Sequence, residues 1–183
     1  PGAPPPGAQS NVENKGDAIV VTEETAAAGT RSVKIQDAEG LQHVFNPHMV
    51  YLPAYTQGAA RMSFDLRLEA GADMYHEWRS WDVQPYRVGP TFWVRNGKLL
   101  LAGKEAMDLP AGQWIRVEIA ANVGKDAGGT WALAITLPGA TPRRFSALAT
   151  GSPDFANLTW VGWSSMANAK TAFYLDNVKL VNR

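Results

Sequence analysis

The chain has 183 residues, with 17 basic and 17 acidic side chains and no cysteine. Zero formal net charge leaves no field to steer nucleic acid or an anionic membrane, and the missing thiols remove disulfides, thiolate metal sites and cysteine nucleophiles. At 45% hydrophobic and 19% charged it suits one globular domain with a sizeable core, and no apolar run approaches the ~18 residues of a membrane span.

Residues 1–10, PGAPPPGAQS, lack apolar periodicity and read as a semi-rigid linker to a tethered neighbour, with the native N-terminus expected elsewhere. The folded domain is expected over residues 11–183. Ala18–Val21 is a short apolar strand, and Thr22–Ala28 allows no more than a helical turn. Ser32–Gln36 alternates as a strand. Residues 37–48, with Gly40, Asn46 and Pro47, read as a long loop carrying His43 and His48. Arg61–Glu69 alternates most cleanly: Met62, Phe64, Leu66 and Leu68 point one way, and Arg61, Ser63, Asp65, Arg67 and Glu69 the other. Asn96-Gly97 predicts a tight hairpin between Phe92–Arg95 and Lys98–Leu101. Further strands are predicted over 113–121, 130–137, 143–147, 158–164 and 171–181. About ten to twelve short strands, no helix of normal length and no internal repeat predict an all-β fold. A two-sheet antiparallel β-sandwich of jelly-roll type is expected, not a propeller or solenoid.

The recognition chemistry is concentrated in Met74–Arg95, MYHEWRSWDVQPYRVGPTFWVR. At strand period Tyr75, Glu77, Arg79 and Trp81 share one face, and Met74, His76 and Trp78 the other. After a turn around Val83–Pro85, Thr91, Trp93 and Arg95 alternate with Phe92 and Val94. Flat rings beside Arg and Glu suit a sugar, whose C–H faces stack on π-systems while its hydroxyls take charge-assisted hydrogen bonds. Trp81, Trp93, Trp78 and Tyr86 are the stacking candidates; Glu77, Arg79, Arg95 and Arg67 are the hydrogen-bonding ones. These rings cannot all share a face, because Trp78 has the opposite parity to Trp81. Either Trp78 is core or a bulge intervenes, and Trp81 and Trp93 are the rings expected outward. The competing reading makes these Trp packing residues of the sandwich.

Hydrolase motifs are missing: there is no E-x-D-x-x-E strand pair of carboxylates, no G-x-S-x-G, no phosphate loop and no H-E-x-x-H. A lyase needs a Tyr or His base beside an Arg that neutralises a uronate. Tyr75, His76 and Arg79 are the residues for that role if the chain is an enzyme. His43, His48 and His76 match no transition-metal spacing. Calcium is the better metal candidate, with Glu24, Asp176, Asp17 and Glu23 near the two ends of the domain, where first and last strands are expected to pair. Asn157-Leu158-Thr159 is a formal glycosylation sequon at a strand start and reads as coincidence.

Val21–Asp37 (VTEETAAAGTRSVKIQD) resembles the opening of jelly-roll carbohydrate-binding modules, and Thr171–Leu180 (TAFYLDNVKL) their closing strand. Between them SFDLRLEAGA, HEWR, GKLLL, LPAGQWIRVEI and GTWALAITLPG are similar to bacterial concanavalin-like (laminin-G-like) accessory domains. The resemblance implies a structural calcium, with Glu24 and Asp176 at the usual positions, and a non-catalytic module that brings a tethered carbohydrate-active enzyme to its polysaccharide. The alternatives are a small polysaccharide lyase or hydrolase, or a structural, protein-binding sandwich. The expected partners are a polysaccharide and that tethered domain, with neither nucleic acid nor membrane. The expected state is a monomer, secreted or periplasmic in a bacterium.

Overall fold

A computed structural model describes residues 1–183. The alternation of residues 61–69 becomes β5 (Gly58–Leu68), which sits mid-sheet with Met62, Phe64, Leu66 and Leu68 buried and the residues between them facing outward. Its sheet, the back sheet, also holds β12 (Arg143–Ala149), β11 (Thr130–Thr136), β10 (Trp114–Val123), β14 (Ala172–Asn182), β3 (Ser32–Gln36) and β2 (Ala18–Thr22), in the order β12-β11-β10-β5-β14-β3-β2. Facing it is a second seven-stranded sheet. This front sheet comprises β1 (Gln9–Asn11), β4 (His48–Tyr51), β13 (Trp160–Ser165), β6 (Met74–Ser80), β7 (Arg87–Arg95), β8 (Lys98–Leu101) and β9 (Lys104–Asp108), in the order β1-β4-β13-β6-β7-β8-β9. All pairings are antiparallel, giving the expected jelly-roll sandwich.

Three expectations change. Residues 1–10 are laid along the sandwich: Gly2 N–H donates to Val21 O (2.8 Å), Val21 N–H donates to Ala3 O (2.8 Å), and Gln9 begins β1 against β4. A Pro-rich chain is already extended, so its few N–H groups and its carbonyls can join an edge without first being ordered. The loop assigned to 37–48 ends one residue early, because His48 opens β4. The last strand pairs with β3 and β5, while β1 belongs to the opposite sheet. The Asn96-Gly97 hairpin forms as predicted, both residues at positive φ (49° and 68°), as a two-residue turn between twisted strands requires.

The core between the sheets includes Phe64, Phe92, Phe173, Trp78 and Trp163, each at most 1% exposed, and it also encloses His76. The His76 ring lies 4.9 Å from Trp163, 5.3 Å from Phe92 and 5.4 Å from Phe64. Trp78 Nε1–H donates to His76 Nε2 (3.1 Å), so Nε2 holds a lone pair and the neutral ring carries its proton on Nδ1. Burial pushes the His76 pKa down to about 3. Between the ordinary value near 6.5 and that point the unfolded chain binds a proton that the native chain does not, so stability falls as pH falls. The slope from this group is at most about 1.4 kcal/mol per pH unit. His76→Phe is expected to flatten the acid limb of stability measured by urea unfolding from pH 7 to 4. At pH 7 it should cost about 1–3 kcal/mol, because the Trp78 indole N–H loses its acceptor.

Candidate functional site

The outward face of β4, β13, β6 and β7 forms a cleft of 520 Å³. Register places its side chains in rows. His48, Ser164, Tyr75 and Trp93 stand opposite one another across four strands, and Gly162, Glu77 and Thr91 make the next row. Trp160 and Arg79 pair in the row beyond. The cleft exists because β13 presents small residues outward at Gly162 and Ser164. Trp160 lies flat over Gly162: a Cβ there would sit 2.1 Å from the indole. Phe45, 46% exposed, walls one side; Trp81 and Tyr86, 44% and 38% exposed with ring centroids 5.0 Å apart and tilted by 37°, wall the other.

Beneath those rings lies the site's one ion pair. Arg79 Nε–H donates to Glu77 Oε1, with the carboxylate side chain only 4% exposed. The Arg79 guanidinium lies 4.0 Å from the centroid of Trp160, 4.6 Å from Tyr86 and 5.3 Å from Trp81. Burial pushes the Glu77 carboxyl up, and the Arg79 charge and hydrogen bond oppose that shift. The pair is neutral as a unit and shielded from water, so it stiffens the floor and presents little charge to a ligand.

The expected site residues separate. Tyr75, Glu77, Arg79, Trp81, Tyr86 and Trp93 are brought together in the cleft. Trp78 is core, 0% exposed, as its parity required. His76 also points inward and cannot reach a ligand, which removes it from any catalytic set. Arg67 lies on the back sheet, where its guanidinium donates to Glu69 and to Gly112 O; alternation told its face but not its sheet. Arg95 ends β7 outside the cleft, its guanidinium 4.3 Å from the Trp93 centroid.

Several cleft residues escaped the sequence. Trp160 and Ser164 lie on a strand buried along its whole length, so WVGWSS shows no polar-apolar alternation. The available signal was the spacing of Trp160, Gly162 and Ser164 at period two. His48 was hidden because it was placed in the 37–48 loop and not at the start of β4, and Phe45 because nothing in that loop's sequence shows that it walls the cleft. Asn46 and Glu13 were missed with them: Glu13 accepts from the Gln42 and His43 N–H groups and from Asn46 Nδ2, holding the Phe45 loop in place.

The four acidic residues proposed for calcium do not converge. Glu24 accepts from Lys34 Nζ (2.8 Å) and Tyr174 Oη–H (2.9 Å), and burial with this hydrogen bond pushes the Tyr174 pKa up to about 12. Asp176 accepts from the N–H groups of Ala27 (2.8 Å) and Ala28 (3.1 Å). Glu23 pairs with Arg31, and Asp17 accepts from the N–H groups of Glu13 and Lys15. No three His, Asp or Glu side chains gather as a metal site. With an ammonium already on Glu24, these residues as arranged do not fit calcium. The sequon amide is also engaged, Asn157 Nδ2 donating to Asp82 (2.8 Å).

No protein-family profile matches the chain, and no curated protein matches its sequence. Solved structures match its fold. An endo-β-1,4-glucuronan lyase from the fungus Trichoderma reesei superposes with a TM-score of 0.66 at 13% identity, over 96% of this chain and 90% of that one. A PL-14 alginate lyase from Aplysia kurodai gives 0.63 at 8% identity, over 96% and 98%. The cellulose-induced protein Cip1 gives 0.62 at 13% identity, over 96% and 90%. The chain therefore has the jelly-roll sandwich fold of polysaccharide lyases.

Two outcomes are expected. Gly162→Ala should displace the Trp160 ring and close the cleft, read as a changed Trp160 indole resonance in a chain that stays folded by circular dichroism. Millimolar calcium or a chelator should leave the melting temperature unchanged; a calcium-dependent rise would show that the Glu24–Lys34 pair opens to a metal.

Proposed function

We propose that this chain is a non-catalytic carbohydrate-binding module that holds a polysaccharide in the front-sheet cleft for a tethered carbohydrate-active enzyme. The observation that carries this reading is the pairing of exposed rings with a neutralised floor. Trp81 and Tyr86 stand open at the mouth, and Trp93 is half-buried beside Tyr75, at 4.3 Å. Open aromatic surface of this kind marks a binding surface, and sugar C–H faces are a fitting partner for it. The names of the solved structures with the same fold, acting on glucuronan and on alginate, support a polysaccharide as the ligand class. A secreted or periplasmic location goes with such a ligand.

A second reading, a lyase, is favoured by one observation. His48 lies in the same row as Tyr75 with Ser164 between, which puts a base and a hydroxyl acid on one cleft wall. Against it stands Arg79, the only guanidinium lining the cleft, which is committed to Glu77 and three rings and cannot neutralise a uronate without leaving them.

Affinity electrophoresis and calorimetry against a polysaccharide panel test both. Trp81→Ala and Trp93→Ala are each expected to weaken binding about fivefold, the size of one aromatic contact of about 1 kcal/mol. Trp81→Ala should lower the melting temperature only slightly, because the ring is 44% exposed and Trp160 and Tyr86 still cover Arg79. New reducing ends or unsaturated uronates from incubation with the panel, lost in His48→Ala, would replace the binding reading with the lyase. Absence of both retention and turnover on every polysaccharide would overturn both.

A further inference from the structure

Resting on the binding-module reading, we propose that the cleft takes a neutral, hydroxyl-rich glycan, and that His48 selects it by offering Nε2 as acceptor to a sugar hydroxyl.

The assignment of His48 begins at Glu13. An ionised carboxylate only accepts, and this one accepts from Gln42 N–H (2.6 Å), His43 N–H (2.9 Å) and Asn46 Nδ2 (3.0 Å). The Asn46 amide is thereby oriented, with Oδ1 turned to His48 Nδ1 at 2.8 Å. An amide oxygen accepts as well, so Nδ1 carries the ring proton and Nε2 keeps its lone pair. No group of the chain donates to that nitrogen, and the ring lines the cleft. The carboxylate, the amide and the imidazole thus form a relay whose output is one acceptor presented to the ligand.

The choice of a neutral sugar follows from charge. Arg79 is the only cation lining the cleft, and it is already paired with Glu77 and enclosed by Trp160, Tyr86 and Trp81. A carboxylated or sulfated sugar entering there would lose water and meet an acceptor nitrogen instead of a counter-charge. A hydroxyl gains the His48 lone pair, and its ring gains the aromatic wall. Arg95 lies outside, at the rim.

Protonation would turn the acceptor into a donor. Burial, together with the charges of Arg79 and His43, holds the His48 pKa below its ordinary value, so the acceptor form prevails at neutral pH and is lost as the solution becomes acidic. Tyr75 and Glu77 face the same cleft. Glu77, whose carboxyl is pushed up by burial, can also titrate in acid, and it remains in a His48 variant.

The test uses affinity gels and calorimetry with two neutral probes, mixed-linkage β-glucan and galactomannan, and two anionic ones, alginate and polygalacturonate. Retention on a neutral probe is expected, with none on the anionic pair. His48→Phe should weaken it about fivefold, the size of one hydrogen bond. Wild-type affinity should decline as the solution becomes acidic, and His48→Phe should show a shallower decline, with only the Glu77 part left. Long-range ¹⁵N–¹H spectra should show the His48 proton on Nδ1, and Glu13→Gln should relax that preference. Retention on alginate or polygalacturonate alone, abolished by Arg95→Gln, would overturn the proposal and leave the binding reading intact. Equal affinity and equal pH profile in folded His48→Phe would overturn the role of His48. Retention on no probe would overturn the binding reading on which the proposal rests.

Discussion

The site depends on one buried ion pair. Glu77 stands at the centre of the front sheet with 4% of its side chain exposed, where an unpaired carboxylate would be strongly disfavoured. Arg79, two residues on along β6, meets it on the same face. A buried guanidinium needs its flat faces covered as well as its edges bonded, and Trp160, Tyr86 and Trp81 supply that cover. The rings are therefore arranged around Arg79, and their remaining open surface becomes the mouth of the cleft. Removing either charged partner alone leaves a buried charge, so the pair and its rings form one unit.

The sandwich sets where this unit sits. Antiparallel register aligns β4, β13, β6 and β7 so that His48, Ser164, Tyr75, Glu77 and Trp93 face the cleft while the residues between fill the core. A register shift between β6 and β7 follows at Arg79. Trp78 and Trp163 are the inward counterparts of Arg79 and Ser164, one residue removed in each case. Small outward residues on β13 lower the floor, and the Glu13-bound loop and the β6–β7 connection raise the sides. Sequence fixes the depth of the cleft at Gly162, where any side chain would meet the Trp160 ring.

Much of this is legible in the amino-acid sequence. The strict alternation of residues 61–69 and the Asn96-Gly97 turn specify their structure locally, because side-chain parity and φ are local properties. The same parity separated Trp78 from Trp81 and placed His76 beside Met74 and Trp78, inward; treating His76 as catalytic went against that pattern. What stayed hidden depends on pairing between distant segments. Arg67 has the right parity on the wrong sheet. Trp160 and His48 reach the cleft because β13 lies between β4 and β6, an order that no short stretch encodes. Glu24 looked free for a cation until the β3–β14 register set Tyr174 opposite Lys34 and brought both to its carboxylate.

The seven indole N–H resonances give the most direct test, since the tryptophans divide between cleft, core and back sheet. On titration with a polysaccharide that the chain retains, Trp81, Trp93 and Trp160 should shift while Trp78, Trp163, Trp114 and Trp131 stay in place. A shift confined to Trp114 on the back sheet, with the three cleft indoles unmoved, would contradict the account.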